Sequence, residues 1–256
     1  MIAPVAVTRY VTPLREGGSL PGIVEGEDLG TYVCKFRGAG QGIRVLAAEV
    51  LVSGLAQELD LATPRLVELD LDPALARYEA DEEVQDLLTA SVGSNLGVDF
   101  LPGAFGFDGR GGLGGDIGSI ALRVLWLDAF TANVDRSWRN PNLLVWHGEL
   151  WLIDHGAALW FHHAWAGGLT DPQRFARQEW KTDDHVFADL VPRLREVDGE
   201  LRDRLGAEVF ARIADQVPEP WLADVPGASP ADVRRAYVDF LLARLGSEDW
   251  LPEGAR

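Results

Sequence analysis

Residues Asn133–Gly156 read NVDRSWRNPNLLVWHGELWLIDHG. Three of the chain's four Asn residues (Asn133, Asn140 and Asn142) fall within ten positions here, with Asp135 among them and Asp154 beyond. The fourth, Asn95, stands alone. A scarce polar residue gathered beside apolar, strand-like text points to chemistry. NLLVW and ELWLID have strand composition, and His147-Gly148 between them is a hairpin-turn signal. If those strands pair, Asn140–Asn142 and Asp154 come near one another. Their oxygens suit Mg²⁺, which takes few protein ligands and keeps phosphate oxygens for the rest. Asp135, five before Asn140, is then free to orient or deprotonate a hydroxyl. Asx-turn chemistry around Pro141 explains one Asn but not the set.

Outward from this stretch, 256 residues suffice for one domain or two closely packed lobes. At 47% hydrophobic and 25% charged, the composition is that of an ordinary soluble globule. The text holds no eighteen-residue apolar run and no basic-then-apolar leader, so a protein neither spanning nor exported is expected. The single cysteine, Cys34, excludes an intramolecular disulfide and fits a reducing cytoplasm. A net charge of -17 argues against nucleic acid and against an anionic membrane surface as partners. Of 23 basic residues only Lys35 and Lys181 are lysine. Genomic base composition explains the excess of Arg. A lysine that survives such drift marks a place where a compact ammonium does what a planar fork cannot.

Val5–Val11 reads as a short strand, and Arg15–Gly30 as a glycine-rich turn region. In Thr31–Arg37 the residues Tyr32, Cys34 and Phe36 share one face and Val33 and Lys35 the other. Lys35 follows a loop of glycines, and glycines permit close backbone approach to a polyphosphate that the ammonium would neutralise. Ile43–Leu61 is helical. Glu49 sits within its apolar arc, where a carboxylate is costly unless paired, and Lys35 is the natural partner. Pro64–Leu71 reads as a strand, the acidic text 74–91 as one helix, and Val98–Phe107 as extended. Glycines at Phe107–Asp116 break the chain, and GRGGLGG (Gly109–Gly115) lacks the ending of a nucleotide loop, so a link is expected there. Ile117–Val134 is an apolar core helix. Beyond Ala164 the text is helical, notably Leu190–Val217 and Ala231–Leu245. His147, His155, His162 and His163 lack zinc-ligand spacing and read as surface and hinge residues, and the tryptophans of this region as core and interface mass. Arg136 either binds phosphate or holds its loop.

Asp135-x4-Asn140 followed by Ile153-Asp154-His155-Gly156 matches the order of a protein-kinase catalytic loop and metal-binding segment. With GGSLPG (Gly17–Gly22), TYVCKF, AAE, NLGVDFLPGA, WLDAFTANVDRSWRNPNLLVW and LIDHGAAL, the chain resembles the HipA-like kinases. The resemblance runs to about Val191. It implies an α+β, two-lobed, protein-kinase-like fold, with a strand-rich lobe over 1–107 and a mainly helical one over 108–256. It implies ATP between the lobes and Mg²⁺ as cofactor. Lys35 would hold the α/β-phosphates and pair with Glu49, while Gly18, Ser19 and Gly22 would cover the phosphates. Phe100, Leu101 and Gly103 would offer the backbone edge that reads adenine. Asp135 would be the base, and Asn140 and Asp154 the metal ligands, with Asn142 the alternative to Asn140. The acceptor would be a hydroxyl on a protein Ser/Thr or on a small molecule.

Overall fold

The computed structural model describes residues 1–14, 20–108 and 117–255. The fold is α+β: strands dominate the first part of the chain and helices the second. Two compact units form, Met1–Ala47 with Pro64–Pro102, and Ala48–Thr63 with Gly103–Arg256.

In the first unit, β1 (Ala3–Pro13), β2 (Gly22–Gly26), β3 (Thr31–Lys35), β4 (Leu66–Leu71) and β5 (Gly93–Asp99) close a barrel in the order β1-β2-β3-β5-β4. All neighbours are antiparallel except β1 and β4. The alternation expected of Thr31–Arg37 holds: Tyr32, Cys34 and Phe36 are buried with Val5, Val24, Val67 and Leu69, whereas Val33 and Lys35 are only half-buried. Gly97 of β5 lies against this core. A Cβ there would stand 2.6 Å from Val67 Cγ2 and 2.7 Å from Leu69 Cγ. Gly97→Ala is therefore expected to destabilise the protein by roughly 1–3 kcal/mol, the usual range for overpacking, as read by urea denaturation.

Three readings of this unit need correction. β1 is longer than Val5–Val11 because it pairs on both edges. The glycine-rich text before Thr31 contains β2, whose Val24 alternates inward. The expected helix over 74–91 is two pieces, a 3-10 turn at Leu75–Tyr78 and α2 (Glu82–Ala90). Asp81 separates them, because it holds extended backbone while its carboxylate accepts the Glu83 and Val84 amides as an N-cap. Asn95, the isolated asparagine, is buried, donates to Ser91 and Gly93 carbonyls and accepts the Arg37 amide. It is a splint for the barrel. α1 (Arg44–Glu58) begins in the first unit's stretch of chain and ends in the second's.

The second unit is built on α3 (Ile117–Thr131), whose Trp126 stacks on Phe130 at 4.9 Å while Trp250 meets both rings edge-on. Around it lie α5 (Arg195–Asp203), α6 (Ala207–Ala214) and α7 (Pro230–Leu245). β6 (Phe105–Gly106), β7 (Leu143–Trp146) and β8 (Glu149–Leu152) form a small antiparallel sheet. His147 and Gly148, at φ +51° and +80°, make the two-residue turn expected between β7 and β8. The long helix read at Leu190–Val217 is broken into a 3-10 turn (Ala188–Arg193), α5 and α6, with Pro192 inside the turn and extended Gly206 before α6. After a 3-10 helix at Trp160–Gly167, residues 168–187 are mostly irregular, with the four-residue α4 (Gln173–Ala176) among them. Among the described residues, no helix is long and apolar enough to cross a membrane.

Candidate active site

The Asn-rich stretch leaves α3 through Ala132, whose left-handed φ of +54° turns the chain. What fixes the loop beyond it is Asp128, fully buried inside α3. Asn133 Nδ2 donates to Asp128 Oδ1 at 2.8 Å, and Arg136 Nε to Oδ2 at 2.6 Å. His185 Nε2 is 3.0 Å from Oδ2. Because His185 Nδ1 accepts the Phe187 amide, its Nε2 carries the proton and donates. Burial raises the Asp128 pKa, but the Arg136 charge, His185 and Asn133 outweigh it and hold the carboxyl down at about 2.

Arg136 is itself buried, and it spends its remaining donors on the second leg of the site. Its Nη1 donates to the Asn142 carbonyl and, at 3.3 and 3.5 Å, to those of Pro141 and Ile153. Its Nη2 lies 3.2 Å from His155 Nδ1, which must accept, since a guanidinium only donates. Of the two roles open to Arg136, holding the loop is the one the geometry fills.

On this frame Asp135 is half-buried. Its amide donates to Asn133 Oδ1, and its Oδ2 accepts both Asn140 Nδ2 at 3.3 Å and Asn142 Nδ2 at 3.2 Å. The hairpin register pairs Leu143 with Leu152 and continues to an Ile153 amide bond onto the Asn142 carbonyl at 3.1 Å. Asp154 is the next residue, and both it and Asn142 take left-handed backbone, at φ +55° and +49°. Such conformations are sparsely used by non-glycine residues and cluster at functional sites. Asn140 is exposed, whereas Asn142 is 9% exposed and abuts the Asp154 segment. The structure thus brings Asp135, Asn140 and Asn142 into one hydrogen-bonded group beside Asp154.

The other candidates sit on other elements. Lys35 is the last residue of β3 and belongs to the first unit; Glu49 lies on α1 in the stretch assigned to the second, and at 2% exposure it is as buried as its apolar arc suggested. Gly22 opens β2 beneath Tyr10 and Phe36. The Phe100 amide is committed to the Thr31 carbonyl, Leu101 is buried, and Gly103 has φ +78°; the chain there turns rather than extends. Gly18, Ser19 and the Gly109–Gly115 link lie outside the described residues.

Two of the clustered histidines are not surface groups. His155 and His162 are buried, the latter with Nδ1 2.9 Å from Tyr237 Oη, while His147 and His163 are exposed. Trp138, read as core mass, is 59% exposed and stacks under Arg139. The residues missed from sequence are Asp128, His185 and Trp180, whose indole donates to the Asn133 carbonyl at 2.7 Å. Only Asp128 left a trace in the text: one acid inside a strongly apolar helix demands a partner.

The HipA-like kinase family matches residues 7–252. Among solved structures the chain is similar to the Helicobacter pylori proinflammatory kinase CtkA, at TM-score 0.53 and 10% identity over 92% of this chain and 90% of that one. At that identity the likeness is one of fold. No curated protein matches the chain. A family match that covers nearly the whole sequence, joined to a kinase neighbour in fold, settles the membership: the chain belongs to the HipA-like kinase family.

Proposed function

We propose that the protein is an ATP- and Mg²⁺-dependent phosphotransferase that moves the γ-phosphate to a hydroxyl, first of all that of a protein Ser/Thr. The observation that supports this most is the grouping of Asp135 with two carboxamides on a loop locked to the Asp154 segment by one buried arginine. The donor set is made of oxygens, which fits Mg²⁺. Among the described residues no group of three or more His, Cys, Asp or Glu could hold a metal, so a soft, protein-saturated site has no residues to build it. Asp154 and Asn142 are the preferred ligands, since register makes them neighbours across the hairpin; Asn140 is the third.

Bound Mg²⁺ supplies charge neutralisation and orientation of the phosphates. Asp135 orients the acceptor hydroxyl and takes its proton as the oxygen–phosphorus bond forms and the bond to the departing ADP breaks. Asn140 and Asn142 hold the Asp135 carboxylate in place for that role. Lys35, supported by Glu49, holds the α/β-phosphates from the strand-rich lobe over 1–107. Gly18, Ser19 and Gly22 cover the phosphates, and Phe100–Gly103 borders adenine. The helical lobe over 108–256 carries the chemistry.

Millimolar ATP with Mg²⁺ is expected to raise the melting temperature, and EDTA to remove most of that rise. Ligand at about 100 times its dissociation constant stabilises by roughly 2.7 kcal/mol, which is several degrees. Asp154→Ala should lose the Mg²⁺-dependent part of the shift. No shift in the wild type at millimolar nucleotide would remove the reading.

A further inference from the structure

Beside the catalytic loop the second unit holds a cavity of about 260 Å³. Ala132 and Val134 form part of its wall, and Trp160 and Phe175 supply aromatic surface. Val134 is the residue before Asp135, so this wall of the cavity adjoins the loop that carries the proposed base. The Trp180 bond to the Asn133 carbonyl ties the cavity's far rim to the same loop.

Two cations line this space in a chain of net charge -17. Lys181, one of only two lysines, is exposed at its rim. Arg244, 1% exposed, comes from α7. Its bonds go to backbone carbonyls of Ala129, Ala176 and Gln178, and among the described residues its Nε–H has no acceptor. Burial pulls its pKa down to about 9, so it remains charged at neutral pH. Glu179, the one carboxylate in the lining, accepts the Glu253 amide at 2.8 Å. Among the described residues this desolvated cation has no carboxylate partner, and it lines a largely apolar cavity, which makes the cavity a place for an anion.

We propose that this cavity is the recognition subsite for the phosphate acceptor, and that it selects an acceptor presenting a compact apolar group, best an aromatic ring, with one negative charge. The volume falls just below the roughly 300–1,000 Å³ of drug-sized sites, which suits a single ring with one charged arm. The same chemistry is offered by a free aromatic acid and by a peptide segment that carries a ring and a carboxylate beside its Ser/Thr. The proposal rests on the kinase reading above for the word acceptor, but not for the binding itself.

The test uses phenylacetate, its neutral amide and phenethylamine as probes on the full chain, with binding followed by ligand-observed saturation-transfer NMR and calorimetry. Phenylacetate is expected to bind about tenfold tighter than the amide, phenethylamine not to bind, and Lys181→Glu to weaken phenylacetate about tenfold. Lys181 is exposed, so its variant should fold. A Ser-Phe peptide with a free carboxyl terminus, compared with its amidated form and with phenylacetate, tells a protein-borne acceptor from a free acid. Equal binding of the amine and the acid, an unchanged affinity in Lys181→Glu, or no phenylacetate signal up to about 10 mM would each overturn the proposal. ATP and Mg²⁺ titrated into the same samples separate the two readings. Acid binding without nucleotide binding sinks the kinase chemistry alone, whereas nucleotide binding without charge selectivity sinks this subsite alone.

Discussion

Asp135→Ala lowers phosphoryl transfer by roughly 10²- to 10⁴-fold, the range for losing a positioned general base, and leaves the protein folded and able to bind nucleotide. The fold survives because Asp135 is not what holds its loop. Arg136, Asn133 and Trp180 make those bonds, to Asp128, to the hairpin carbonyls and to the loop backbone. Removing the Asp135 carboxylate frees the exposed Asn140 carboxamide to turn to water, while Asn142 Nδ2 keeps the Asp135 backbone carbonyl at 3.3 Å. Asp135→Asn is the sharper control, since it keeps the volume and one acceptor oxygen but cannot take a proton. Initial rates of ADP formation, alongside nucleotide thermal shifts, separate the two effects. Transfer that survives Asp135→Ala would assign the base elsewhere.

Arg136→Met is expected to cost about 3–5 kcal/mol of stability, because it leaves the Asp128 carboxylate buried without its charged partner. His185 and Asn133 would remain, but neither carries the charge of a guanidinium. The Asn142 carbonyl and His155 Nδ1 would also lose their donor, so the Asp154 segment should loosen with the loop. Urea denaturation reads the loss, and Asp128→Asn should cost a comparable amount, because it leaves the Arg136 guanidinium buried without its carboxylate. The same carboxylate sets an acid limb. Its folded pKa of about 2 lies below the ordinary aspartate value of 3.8, so the stability it contributes is complete above about pH 4 and lost as pH falls toward 2. That contribution is on the order of 2 kcal/mol, and it should be absent from the pH profile of Asp128→Asn.

The sequence showed the hairpin and its left-handed turn because His147-Gly148 and the flanking strands are local features, within reach of composition and spacing. It also showed that Asp135, Asn140 and Asn142 belong together, since scarcity and spacing are visible without coordinates. The hub under them was not legible. Asp128 and His185 are 57 positions apart, and nothing in either neighbourhood names the other. β2 was hidden for a different reason: two glycines in five residues look like a turn, yet barrel neighbours on both sides override that weak propensity. The break at Asp81 came from a side-chain cap that competes with the helix, which a run of good helix formers conceals. Lys181 was marked by its rarity alone, and only the cavity beside the loop gave that rarity a use.

The central claim is that the segment across the hairpin from Asn142 holds the metal that holds the phosphates. Mn²⁺ in place of Mg²⁺, titrated with a non-hydrolysable ATP analogue and followed by electron paramagnetic resonance, reads that directly. Asp154→Ala should weaken nucleotide-dependent Mn²⁺ binding by about 10–100-fold, and Asn142→Ala should weaken it more than Asn140→Ala. Mn²⁺ bound equally well by wild type and Asp154→Ala would contradict the account.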